Sequence, residues 1–272
     1  MRQQQSEKAE VGIDFRKERR NMLINNWDIL NAGARQWNVT PGYHAISNSS
    51  DWSGGSLSPL FLKNELGVKK IKVILMIKRE GGRQEILARC SDILSRLVEP
   101  AELKLDDFEH RFYGVLENYS LEENPMKISS VNFNRMAKLT LEFGCYEFAV
   151  LENGDPFSVL ADGETSMVIN NTGNLLTPAI VEITPKIGAA SVTLTGICRD
   201  LGTLQPLPVT IRELKTGKTV VLDGESGLFT QEGELKAELD IWERPTLLPG
   251  ENRITINNNQ MILTVRMRPR FM

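Results

Sequence analysis

MAKLTLEFGCYEFAVLENGDPFSVLADGETSMVINNTGNLLTPAIVEITP, residues Met136 to Pro185, carries the pattern from which the rest of the chain is read. Leu139, Leu141, Phe143 and Cys145 fall on one side of an extended chain, and Thr140, Glu142 and Gly144 on the other. A period of two marks a strand with one buried face. The alternation collapses at ENGDP, residues 152–156, where Asn-Gly and Asp-Pro favour turns and proline interrupts a ladder. A second apolar run, Met167 to Ile169, enters the polar cluster NNTGN, and the chain re-emerges as the apolar strand Ala179 to Ile183. One sheet system ends in this stretch and another begins.

Working outward, 272 residues exceed the usual single-domain size of about 100–200, so two domains are expected. The division falls at 1–150, a linker at 151–164, and 165–272, with residues 1–20, polar and charged, partly flexible. No apolar run approaches the ~18–20 residues that span a bilayer. The first twenty residues lack the apolar centre of a signal peptide, so assembly in a cytoplasm, away from membranes, is expected. A net charge of −3 argues against nucleic acid as the main ligand, since neutralising phosphates takes a basic face. The run RKERR, Arg16 to Arg20, reads as a solvated edge or as a contact with an acidic partner. Cys90, Cys145 and Cys198 sit far apart in apolar patterns and read as buried thiols.

In the N-terminal half, Met22 to Ile24 followed by Asn-Asn suggests a short strand and turn. From Gly33 to Leu66 runs a section of Gly, Pro, Ser and Asn with isolated aromatics, among them Trp37, Tyr43 and Trp52. Two readings stand: a strand pair joined by an ordered surface loop, or an extended arm that docks on a neighbouring subunit. The insert Ser120 to Asn132 is second choice for such a contact. Val68 to Lys78 alternates as a strand. Between Arg83 and Leu97 the period becomes helical, with Ile86, Leu87, Cys90, Ile93, Leu94 and Leu97 assigned to one buried face and Pro100 marking the stop. Past residue 185 no helical pattern occurs. Val192 to Cys198 alternates strictly, Leu235 to Trp242 reads as one strand, and about eight short strands punctuated by Gly, Asn and Pro indicate a β-sandwich of jelly-roll type. The predicted fold class is therefore mainly β: an N-terminal β-sandwich-like domain with one α-helix, then a C-terminal β-sandwich.

Acyl-transfer chemistry needs a nucleophile within reach of a base. The only histidines are His44, in a loop, and His110, at a strand start. No G-x-S-x-G, H-E-x-x-H or paired cysteine set occurs. No catalytic, cofactor-binding or metal-ligating residue is assigned, and the chain is read as not an enzyme.

Several phrases in fixed order resemble the distal tail proteins of long-tailed bacteriophages. They are FGCYEF; Asn171-x-Gly173 leading to Pro178-Ala-Ile-Val-Glu-Ile; Arg111 to Leu116; the run LKTGKTVVLDG; Leu248-Pro-Gly-Glu-Asn252; and Arg268-Pro-Arg-Phe271. Met267 stands where the family's ending has an aromatic. The resemblance implies a galectin-like C-terminal domain and a homo-hexamer, a ring at the distal end of the virion tail. It further implies contacts with the tail tube protein, the tail-tip hub or tail-associated protein and the tape measure protein. The C-terminal sandwiches would face outward toward receptor-binding or side-fibre proteins. A galectin-like sandwich also raises carbohydrate binding as an alternative. Trp242, with Glu243 and Arg244, either stacks on a sugar or closes one end of the sandwich.

Overall fold

The computed structural model describes residues 21–51, 60–78, 82–123, 136–151, 154–200 and 202–272. The readings of residues 1–20, of RKERR, of Trp52 and of 124–132 lie outside the described residues.

Strand β1 (Leu23–Ile24) turns into β2 (Trp27–Asp28) through Asn25 and Asn26, both at positive φ, 48° and 65°. Asn tolerates that left-handed geometry, and it matches the twist of a tight hairpin. A 3-10 helix, Ile29–Ala32, is capped by the Asp28 carboxylate, which accepts from the Leu30 N–H. Then come β3 (Ala34–Thr40), β4 (His44–Asp51) and β5 (Leu60–Lys78), the helix α1 (Arg83–Ser95), β6 (Ala101–Lys104), β7 (Arg111–Glu122) and β8 (Met136–Phe148). They form one sheet in the order β2-β1-β6-β7-β8-β5-β3, with β4 on the far half of β5. The long section after Gly33 is thus a set of strands, β4 paired to β5 from His44 to Asp51. The sheet curls so that its two ends approach. Near one end of the order, the β3 side chain Gln36 donates to and accepts from the Asp106 backbone just after β6, at 3.1 and 3.0 Å. Ile71, Val73, Leu75 and Ile77 of β5 and Leu139, Leu141 and Phe143 of β8 fill the space inside.

The helix supplies the remaining wall. Ile86, Cys90, Ile93 and Leu97 are buried, and Leu94 is half-buried. Leu87 differs from the sequence reading: it is 41% exposed. Successive residues of a helix are ~100° apart, so a stripe centred on i, i+4, i+7 and i+11 leaves Leu87 at its margin.

The C-terminal half is a two-sheet sandwich. Its strands are β9 (Phe157–Asp162), β10 (Ser166–Asn171), β11 (Thr177–Pro185), β12 (Ala189–Arg199), β13 (Pro206–Leu214), β14 (Val220–Asp223) and β15 (Phe229–Gln231). They continue with β16 (Glu234–Leu235), β17 (Leu239–Asp240), β18 (Thr246–Leu247), β19 (Gly250–Ile256) and β20 (Met261–Met267). One sheet runs β10-β19-β12-β13-β17, the other β16-β15-β14-β11-β20-β9, and β18 also pairs with β11. Ala179, Val181 and Ile183 of β11 face Val192, Leu194 and Ile211 of the other sheet across a second apolar core. Three details depart from the sequence reading. Phe157–Asp162, placed in the linker, is a strand registered against six residues of β20. The alternation of β12 breaks at Gly196 (φ 97°), where the register shifts and both Ile197 and Cys198 turn inward. Leu235 to Trp242 is two strands in different sheets: Leu235 is exposed while Leu239 packs on the core.

The last strand, β21 (Arg270–Phe271), leaves the sandwich and joins the N-terminal sheet on β8. The two apolar cores do not merge.

Replacing Ile93 by Ala is expected to cost about 2–5 kcal/mol in denaturant melts, because a fully buried side chain leaves a cavity. Leu87→Ala should cost about 0.5 kcal/mol or less. Equal losses at the two positions would put the buried stripe of α1 elsewhere.

Candidate functional site

Strand alternation carries Lys69 to the core side of β5, in line with Ile71 and Val73, and the residue is 4% exposed. A buried ammonium group needs compensation. The Glu147 carboxylate on β8 supplies it by accepting from Lys69 Nζ, and the Met272 backbone oxygen accepts from the same nitrogen at 3.2 Å. The second Glu147 oxygen lies 2.6 Å from His110 Nδ1. Burial pushes the Glu147 carboxyl up, but the hydrogen bonds and charges of Lys69 and His110 outweigh it, and the net shift is downward.

This pair sits where the C-terminal tail arrives. β5 accompanies β8 only as far as the Lys69–Cys145 pairing. β21 takes the vacated edge, with Arg270 opposite Phe148 and Phe271 opposite Glu147. The Phe271 ring stacks on His110, centroids 4.0 Å apart. The Arg270 guanidinium lies 4.0 Å over Tyr146, and that of Arg268 5.3 Å over Phe148. The tail is gripped from the sandwich as well. Asn174 and Leu175 donate backbone N–H groups to the Arg270 oxygen at 3.0 and 3.2 Å, and Asn174 Oδ1 accepts from the Met272 N–H at 2.8 Å. The grip depends on the turn after β10. The buried Asn171 amide donates to Thr177 Oγ1 at 3.1 Å and its oxygen accepts from the Gly173 N–H at 3.0 Å. A side chain at Gly173 would strike the Arg270 backbone.

The residues singled out from the sequence lie apart from this junction. Trp37, on β3, is 40% exposed, and Tyr43, just before β4, is 80% exposed. Ile46 and Leu66, opposite each other on the β4–β5 hairpin, and Val68 are exposed too, so this part of the molecule shows several apolar side chains to solvent. Trp242 does not close the sandwich. It is 84% exposed, on the rim of a depression of about 250 Å³ lined by Gly227, Phe229, Ile241, Glu243 and Arg244. The chain beside it is pinned by Cys198, whose thiol donates to the Glu243 backbone oxygen at 3.1 Å. Burial raises all three thiols, Cys145 and Cys198 to about 12, which keeps them protonated at neutral pH. Among the described residues no three His, Cys, Asp or Glu side chains stand together as a metal site.

No family model and no curated protein sequence matches the chain. Solved structures do. The crystal structure of the SPP1 Dit protein, presented as a paradigm of the hub adsorption apparatus in phages infecting Gram-positive bacteria, superposes with a TM-score of 0.68 at 12% identity. The match covers 93% of this chain and 99% of that one. The chain has the Dit fold. A chain of the phage P2 baseplate, in its activated conformation with Ca, matches with a TM-score of 0.50 at 12% identity, over 91% of this chain and 97% of that one. The SPP1 superposition extends over both halves of the chain.

Because the folded-state pKa of Glu147 is lowered, its stabilising contribution is full above the ordinary glutamate value of 4.5 and is lost as pH falls through the lowered one. Lys69 on β5, His110 before β7 and Cys145 on β8 are the titratable groups facing it. Acidification from pH 5 downward should lower Tm more steeply in the native protein than in Glu147→Gln. Parallel acid profiles would remove Glu147 from the acid response.

Proposed function

We propose that the chain is a structural component of a phage tail tip: a homo-hexameric ring at the distal end of the tail that joins the tail tube to the tail-tip hub. The observation that carries this reading is the Dit fold, shared at a TM-score of 0.68 across 93% of the chain. A fold alone does not fix a function, so the reading also leans on surface chemistry. A closed ring requires each copy to bury apolar area on its neighbour. The β4–β5 hairpin offers Tyr43, Ile46, Leu66 and Val68 for that contact, with Trp37 on the adjoining β3. The tape measure protein would meet the ring at its channel, and the C-terminal sandwiches would face outward as mounts for receptor-binding or side-fibre proteins. On this reading the chain is a scaffold without a catalytic role, built into virions in the host cytoplasm.

The test is mass and shape. Negative-stain images should show six-fold rings and native mass spectrometry six copies; a monomer at micromolar concentration would sink the ring. Tyr43→Ser with Ile46→Ser should leave circular dichroism and Tm nearly unchanged, within about 0.5 kcal/mol, yet move the protein to smaller species on a sizing column. A stable hexamer in the double variant would take the hairpin out of the contact.

One observation favours a second reading, carbohydrate binding by the C-terminal sandwich. Trp242 presents an open ring face beside Glu243 and Arg244, the combination of stacking surface and polar groups that sugars use. On a glycan array, native protein should give sugar-dependent signals that Trp242→Ala reduces at least tenfold. Signals that survive the substitution, or none at all, exclude this site.

A further inference from the structure

The tail beyond β20 contributes nothing to either apolar core, yet it connects the two halves. The main chain crosses from β8 to β9 through 149–156, a stretch with the turn-forming sequence ENGDP and a hydrogen bond from the Gly154 N–H to the Leu151 oxygen. Among the described residues, further ties pass through 268–272, and these are polar or aromatic rather than aliphatic. They include the β21 ladder on β8, the Ala149 N–H donating to the Pro269 oxygen at 2.9 Å, the stack of Phe271 on His110, and Arg268 and Arg270 over Phe148 and Tyr146. Lys69, paired with Glu147 beneath the tail, adds a further tie by donating to the Met272 oxygen at 3.2 Å. A two-residue ladder is short compared with the ten pairings that join β5 to β8. Polar interfaces between domains of one chain move unless something holds them.

We propose that residues 268–272 are a latch. Docked in the slot that β5 vacates on β8, they hold the C-terminal sandwich at one angle to the N-terminal sheet; undocked, they leave it joined through 149–156 and able to swing. The slot has the features of a strand-addition site. It offers an open backbone edge at Glu147 and Phe148, an aromatic platform in His110 and Tyr146, and a buried cation, Lys69, that takes the Met272 backbone oxygen as well as Glu147. The sandwich provides the opposing jaw, Asn174 and Leu175, with Gly173 leaving room for the tail to pass. A grip with two jaws can be opened from either, and this is what makes the inference testable. It holds whether or not the chain forms a tail ring.

Glu99 and Lys218 are exposed residues on opposite domains, and the native thiols are buried, so Glu99→Cys with Lys218→Cys can be spin-labelled selectively. Diluting labelled into excess unlabelled protein confines the measured distances to one copy. The native latch should give one narrow distance distribution by pulsed electron paramagnetic resonance. Glu147→Gln with Phe271→Ala opens the N-terminal jaw, and Gly173→Ala crowds the tail from the sandwich side without removing any N-terminal group. Each should at least double the width of the distribution while circular dichroism stays native. If one variant fails to fold, the other decides. A folded variant with the native width, a native protein already as broad as the variants, or loss of folding in both overturns the proposal.

Discussion

Lys69 is the residue on which the junction turns. Nothing about a strand of period two allows one of its inward positions to escape burial, and at this one the side chain carries a charge. An ammonium group in that place is tolerable only if anionic and carbonyl oxygens come to it. Glu147 comes from the neighbouring strand, but its placement depends on β8 remaining extended after β5 has left. An unpaired edge would let β8 fray, since its backbone groups need partners. β21 provides them and brings the Met272 oxygen to Lys69 in the same step. Charge compensation and edge pairing are thus met by one short segment drawn from the other end of the chain.

Most of the fold was legible because it is written in local periodicity. Leu139 to Cys145 and Ala179 to Ile183 show the alternation of half-buried strands and their apolar faces are buried as read, although Thr140 and Gly144 on the other face of β8 are buried too. The free cysteines followed from the same patterns. Where a local rule competed with a stronger signal, the reading failed. Phe157, Val159 and Ala161 alternate, yet they follow ENGDP, whose turn signal drew the next residues into a linker. Gly196 hid a bulge because a lone glycine leaves alternation intact on paper. Leu87 shows the limit of assigning six residues to a stripe that five fill.

The junction was not legible, and for a different reason. Lys69 reads as one of several lysines flanking an apolar run, and only its parity with Ile71 and Val73 hints at burial. Its partners Glu147 and Met272 lie 78 and 203 positions away in sequence, beyond the reach of any periodicity. Nothing in the sequence around His110 marks it as the ring on which Phe271 stacks. Of the two readings of Trp242, closing the sandwich does not fit its exposure. An aromatic at a strand end usually seals a sandwich, but here the strand was not one strand, and the change of sheet between Leu235 and Leu239 leaves Trp242 outside both faces.

The phrases that suggested the family nonetheless coincide with these long-range devices. In Leu248 to Asn252, the buried Asn252 amide clamps the turn by accepting from the Leu248 N–H at 2.9 Å and donating to the Leu248 oxygen at 2.7 Å. Gly250 supplies the φ of 84° that a side chain would strain. Asn171 and Gly173 shape the jaw that receives the tail, and Arg268, Arg270 and Phe271 are the tail's contacts on β8. Apolar core positions accept many side chains of similar volume, so they carry little identity even when the fold is the same, in keeping with a match at 12%. A turn that needs a left-handed backbone, or a loop that must admit another chain, accepts few. A resemblance built from N-x-G, LPGEN and RPRF is therefore a resemblance in how the sandwich turns and how its end is fastened to the first domain. It is carried by residues whose identity geometry dictates, not by those that merely fill space.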